Sequence, residues 1–220
     1  MGPMRQGRSG RDKSALREGR SKLMTPIRKA TAALAALTMV VTGAAPALAH
    51  TGLEHATSFS SGFLHPLTGP DHVLAMVAVG LWAGVNGGRA VSAWPIAFVS
   101  LMLVGGALGM MGVALPMVEP GILASVIVLG LLVLTAARVA VAVGVLLVGV
   151  FAVLHGYAHG AELPTAAAAI SYSAGFALAT ALLHAAGLGI ALVSARGGNN
   201  LAVRATGGLV AACGVALAVI

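Results

Sequence analysis

A chain of 220 residues that is 58% hydrophobic and 9% charged, with a mean hydropathy of +0.96, is too apolar for an ordinary soluble domain. Its net charge of +7 belongs to one end: residues 1–29 carry nine basic residues against Asp12 and Glu18, and the remainder carries four arginines against four acids. A basic leader on a neutral body gives no argument for nucleic-acid binding, and the lone Cys213 excludes an intrachain disulfide and a thiolate metal site.

In chain order, residues 30–43 form an apolar run of secretory-signal length, preceded by Arg28-Lys29 and followed by the A-x-A signature Ala47-Leu48-Ala49. The sequence therefore predicts a cleaved signal peptide over 24–49, with His50 as the first mature residue. Met24 opens a compact basic n-region, so translation is expected to start there rather than at Met1. The division is 1–49 as leader and signal, and 50–220 as one transmembrane domain.

Six stretches after the signal reach the ~20 apolar residues that a spanning helix needs: 63–84, 91–114, 120–137, 139–158, 166–193 and 203–220. Turn signals separate them at Asn86-Gly87-Gly88, Pro116 with Glu119-Pro120, Glu162-Leu163-Pro164 and Gly197-Gly198-Asn199-Asn200. Only Arg138 interrupts the run from Gly121 to Leu154. As one helix that run would be ~51 Å long against a ~30 Å hydrocarbon core, so it must turn, and Arg138 marks the place. The predicted fold is all-α: a polytopic membrane protein, a bundle of six transmembrane helices behind a cleaved signal.

With the mature N-terminus outside, Arg89, Arg138, Arg196 and Arg204 all fall in inside connections, while Glu119 and Glu162 fall outside, as the positive-inside rule requires. This predicts a multi-pass membrane chain with both mature termini outside. Trp82 and Trp94 are expected to form an interfacial aromatic belt around Arg89. The 30 glycines and abundant alanine predict closely packed helices.

Two polar groups interrupt this apolar frame. The first is His65-Pro66-Leu67-Thr68-Gly69-Pro70-Asp71-His72, at the outer start of the first span. The second is His155-Gly156-Tyr157-Ala158-His159-Gly160-Ala161-Glu162, at the outer end of the fourth. Histidine and carboxylate are costly in a bilayer and need partners. His65 and His72 share a helix face; Met76 lies one turn beyond His72. Asp71 is either a direct ligand or the acceptor that orients an imidazole. Pro70 suits the first turn of a helix, so the segment before it is a candidate broken or re-entrant piece. His155, His159 and Glu162 share a face if their helix continues. Imidazole with carboxylate suits a divalent first-row metal, with hydrogen-bonded packing or a metal-free proton relay as the alternatives.

These patterns resemble those of the HupE/UreJ family of bacterial membrane proteins. The family's His-Pro-x-x-Gly-x-Asp-His pattern is matched throughout 65–72. Its Phe-His-Gly-x-Ala-His-Gly-x-Glu pattern is matched at 155–162, with Leu154 in place of Phe. Gly175-Phe176 and Ala179-Thr180 with His184 extend the likeness, and the first pattern is also similar to the His/Asp signature of nickel–cobalt transporters. The resemblance implies a nickel or cobalt permease associated with hydrogenase or urease clusters, in which His65, Asp71, His72, His155, His159 and Glu162 matter for transport.

On this reading the protein is not an enzyme and holds no permanent cofactor; Ni²⁺ or Co²⁺ is its cargo. Its partners are the lipid bilayer, the metal ion and urease or hydrogenase maturation proteins. The absence of a Walker-type phosphate loop means this chain does not itself drive transport with ATP. His184, deeper and toward the inside, is either a packing residue or a second station on the ion path. His50, with Glu54 and His55, is either a surface group or an outer capture site. The competing functions are a metal-holding sensor or accessory protein that moves nothing, and an intramembrane metal-dependent hydrolase.

Overall fold

The computed structural model describes residues 58–163, 166–198 and 200–219. The predicted leader and signal, together with His50, Glu54 and His55, lie outside the described residues. Those described form seven α-helices and no strand: α1 Phe59–Thr68, α2 Pro70–Asn86, α3 Ala90–Met110, α4 Val118–Leu134, α5 Val141–Ala161, α6 Ala166–Arg196 and α7 Asn200–Ala218. Helices α3, α5, α6 and α7 are long and apolar enough to cross a membrane. Their outward faces are apolar too: Ile96, Leu146 and Leu201 are 64%, 70% and 73% exposed. A helix that is apolar on all sides belongs in lipid. The molecule is an all-helical membrane protein.

The stretch read as a first span is two helices. A reciprocal Ser58–Ser61 capping box starts α1, each residue's backbone N–H donating to the other's hydroxyl at 3.1 Å. Gly69 then takes an extended conformation, and Pro70, which has no N–H to give, starts α2. The turn expected at Arg138 is present: the chain leaves helix over 135–140, with Ala136 at φ +53°.

Glycine fixes which helices pair and in which direction. A Cβ on Gly156 would strike the Met102 carbonyl, and one on Gly160 the Gly106 carbonyl, so α3 and α5 run parallel and backbone to backbone. Contacts of Gly62 with Tyr172 and of Gly80 with His184 set α1 and α2 parallel to α6. Gly130 and Gly214 of α4 and α7 set those two antiparallel, through Ala211 and Ile127. The bundle consequently has two distinct ends. His65, His72, His155 and His159 lie at one; Arg89, Arg138, Arg196 and Arg204 lie at the other.

The arginine end is closed by a polar clasp. Trp82 Nε1 donates to the Ala137 carbonyl at 2.8 Å, Asn86 Nδ2 to the Trp82 and Ala137 carbonyls at 3.0 and 3.2 Å, and Val139 N to Asn86 Oδ1 at 3.0 Å. Trp94 Nε1 donates to the Val141 carbonyl at 3.0 Å. Arg204 Nε donates to the Leu134 carbonyl at 2.8 Å, at the negative end of α4. The expected aromatic belt is therefore corrected: Trp82 and Trp94 are 1% and 0% exposed, with rings 4.2 Å apart. Backbone carbonyls freed by the α4–α5 turn draw both indoles inward.

Candidate metal centre

The break before α2 determines how the first motif is presented. Asp71 occupies the first turn of α2, where the helix dipole favours an anion. Its Oδ1 accepts from the His72 backbone N–H at 2.9 Å and from His72 Nδ1–H at 2.8 Å. A Cβ on Gly69 would lie 3.0 Å from both Asp71 Oδ1 and His72 Nδ1, so the bare backbone at 69 leaves room for the pair. Of the two roles open to Asp71, the geometry displays the orienting one. With Nδ1 held by the carboxylate, His72 Nε2 is the nitrogen turned to the bundle interior.

Helix α5 supplies the second group. His155 Nδ1–H donates to the Phe151 carbonyl one turn back, at 2.9 Å, which fixes the tautomer and leaves Nε2 with its lone pair. His155 is 0% exposed and its Nε2 has no hydrogen-bond partner. His159 faces His72, with their Nε2 atoms 2.6 Å apart, and His159 Nδ1 is buried and unpartnered.

All four motif histidines thus come together. His159 lies 4.4 Å from His65 and 4.7 Å from His72 between ring centroids, and His72 lies 5.1 Å from His155. Phe176 closes one side, 4.9 Å from His159, and Tyr172 lies 6.1 Å from His65. A cleft of about 20 Å³, space for about one water molecule, reaches His159 between Met102, Gly106, Tyr172 and Phe176.

Helix α5 ends at Ala161, and Glu162 is its exposed C-cap, still in a right-handed helical conformation three residues beyond His159. Met76 is 0% exposed within the apolar core, one turn below His72. His184 is 1% exposed, with both ring nitrogens unpartnered, and packs edge-on against Phe98 at 5.0 Å; Phe98 also touches His155, at 5.7 Å.

The sequence motifs did not single out Phe98 or Tyr172. A usable signal existed in spacing: Tyr172, Phe176, Thr180 and His184 recur every fourth residue along α6, and Trp94, Phe98 and Met102 do the same along α3. Thr180 donates to Met102 Sδ at 3.7 Å, joining the two stripes.

In this arrangement a proton bridges His72 and His159, since one Nε2 must donate to the other. Two nitrogens bound to one metal at ~2.0–2.1 Å lie about 2.9 Å apart at right angles and about 3.4 Å apart in a tetrahedron. The observed 2.6 Å is shorter than either. Accordingly, among the described residues no three His, Cys, Asp or Glu side chains stand as a finished metal-holding set. The chemistry of the donor set still suits a metal. Carboxylate and carbonyl hold the Nδ1–H groups of His72 and His155, which leaves Nε2 as the nitrogen each could offer to a metal.

Fold and site together define a class, an all-helical membrane protein with a buried cluster of imidazoles at one end. Within it, the chain belongs to the HupE/UreJ family: the pattern described as HupE / UreJ protein matches residues 35–217. The chain is similar to Protein HupE of Rhizobium leguminosarum bv. viciae, 47% identical over 171 residues that make up 78% of this chain and 89% of that protein. No solved structure matches the chain.

Proposed function

We propose that the protein is a permease of the bacterial inner membrane that imports a divalent transition metal, nickel or cobalt, for the maturation of a hydrogenase or urease. The observation that carries this reading is the inward convergence of His72, His155 and His159. His72 and His159 meet through their Nε2 atoms, and the unpartnered His155 Nε2 and His159 Nδ1 stand in a setting that excludes most water. His65 and Asp71 complete the centre, the first as a fourth imidazole and the second as the group that orients His72. Exposed Glu162 stands at the rim, where a carboxylate attracts cations before they reach the imidazoles. His50, with its amine and ring nitrogen, would serve as an outer capture group.

Six passes suit the helix directions. A chain that alternates direction at each pass makes its first and fifth spans parallel, its second and fourth parallel, and its third and sixth antiparallel. The pairs α1–α2 with α6, α3 with α5, and α4 with α7 have that relation. With a cleaved signal, the histidine end faces outward and the arginine end faces the cytoplasm. A divalent cation moving inward then gains ~4.6 kcal/mol per 100 mV of membrane potential.

The test is cellular nickel and cobalt content in a host lacking its own high-affinity nickel uptake, carrying this chain or His72→Ala at equal membrane abundance. Uptake above background that returns to background in His72→Ala is the expected result. Metal bound by the purified protein with no uptake would make it a sensor or accessory protein. Turnover of a substrate that vanishes in His159→Ala, with cellular metal unchanged, would make it a hydrolase.

A further inference from the structure

The outer cluster does not account for His184. This imidazole sits on α6 beside Gly80 of α2, two turns beyond His72 toward the arginine end, a displacement of ~12 Å along the axis. It is 1% exposed, and neither Nδ1 nor Nε2 has a partner. A neutral imidazole always carries one N–H donor and one lone pair, so whichever tautomer is present leaves both a donor and an acceptor unused. Buried polar groups are ordinarily paired, and a packing role would be served better by Phe or Leu.

What surrounds His184 indicates what it is kept for. One turn earlier on α6 stands Thr180, 0% exposed, whose hydroxyl donates to the thioether of Met102. Met102 and Phe98 are one turn apart on α3, and Phe98 packs on His184. An imidazole, a hydroxyl and a thioether thus occupy the same α3–α6 seam. The Phe98 ring touches His155 of the outer cluster as well. Above them on α6, Phe176 and Tyr172 continue the same buried stripe up to the cleft at His159.

We propose that His184 is the principal ligand of a second, inner cation site, which takes Ni²⁺ or Co²⁺ from the outer histidine cluster past Phe98, with Thr180 and Met102 as its further donors. The proposal rests on the permease reading above. Its ligands are fewer and weaker than those outside, which suits a station the ion must leave.

The experiment compares His184→Leu with His184→Met in the full-length chain. Leu and Met are close in volume and both remove the unpaired polar atoms, so both are tolerated by the fold, but only Met can ligate a metal. Nickel affinity is measured by equilibrium dialysis on purified protein, and nickel uptake is measured in cells at equal membrane abundance. The inner site predicts that His184→Leu keeps the affinity of the outer cluster within about twofold and loses about tenfold or more in uptake, while His184→Met regains much of that uptake. Wild-type uptake in His184→Leu overturns the inner site, and so does equal loss in the Leu and Met variants. If His72→Ala abolishes uptake and His184→Leu does not, only the inner site fails. If the wild-type chain moves neither nickel nor cobalt, the permease reading and the inner site fall together.

Discussion

The two ends of the bundle both place polar side chains inside an apolar protein, and they treat them in opposite ways. At the arginine end the two indoles, the Asn86 amide and the Arg204 guanidinium each donate to a backbone carbonyl, and Asn86 accepts from Val139. At the histidine end His155 Nε2 and His159 Nδ1 have no partner, and His184 farther in has none for either nitrogen. An unpaired buried donor or acceptor costs about 1–3 kcal/mol, so the histidine end forgoes stability that the arginine end secures. Polar groups bonded to the backbone hold a turn in place, and on the permease reading the groups left open await the cation.

Substitutions at matched positions can break that contrast. The larger effect is expected from Asp71→Asn. Asn keeps the size and an acceptor oxygen, but the negative charge beside His72 Nδ1 is gone, so the ring is less basic and less firmly oriented. Nickel affinity should fall about 10–100-fold, as for other groups that orient metal-ligating histidines. Half-saturation of uptake should rise by that factor, with membrane abundance and thermal midpoint unchanged. A drop in thermal midpoint with unaltered affinity would turn the Asp71–His72 pair into another structural clasp.

Asn86→Ala is the reciprocal change. It strands the Val139 N–H and removes two donated bonds, while the Ala137 carbonyl keeps Trp82 as a donor. A loss of about 1–3 kcal/mol is expected, read as a lower midpoint of unfolding in detergent. Uptake per molecule in the membrane should keep its dependence on nickel concentration. A shift in that dependence would mean that the arginine end takes part in transport and that the two ends are not functionally separate.

Much of this architecture is legible in the residue order because lipid imposes simple rules. Helix content, the turn at Arg138 and the segregation of arginines from histidines follow from apolar run length and charge position. The gathering of His65, His72, His155 and His159 follows from placing both motifs at the same end. The indoles were misplaced because an interfacial belt is a statement about averages. Trp82 and Trp94 instead answer the particular carbonyls of the α4–α5 turn, which no periodicity in α2 or α3 announces. Phe98 and Tyr172 needed the pairing of α3 with α5 and of α1 with α6, and that pairing is set by glycines whose partners are far away in sequence.

Met76 gives the smallest and most discriminating test of how far spacing can be trusted. Helical geometry puts it one turn from His72, and a thioether there could extend the ligand set toward the interior. The structure instead packs it at 0% exposure among Val73, Val77, Trp82 and the rest of the apolar core. Met76→Leu exchanges side chains of nearly equal volume and removes only the sulfur. As a core residue it should cost less than about 1.5 kcal/mol and leave nickel uptake, its half-saturation and its preference over cobalt unchanged. A selective loss of uptake at unchanged abundance would bring the thioether into the ion path. The route inward would then run down the α2 face rather than along the Tyr172–His184 stripe of α6. On the permease reading, Met76→Leu and His184→Leu therefore answer one question from two sides: whether the cation would cross the core beside α2 or beside α6.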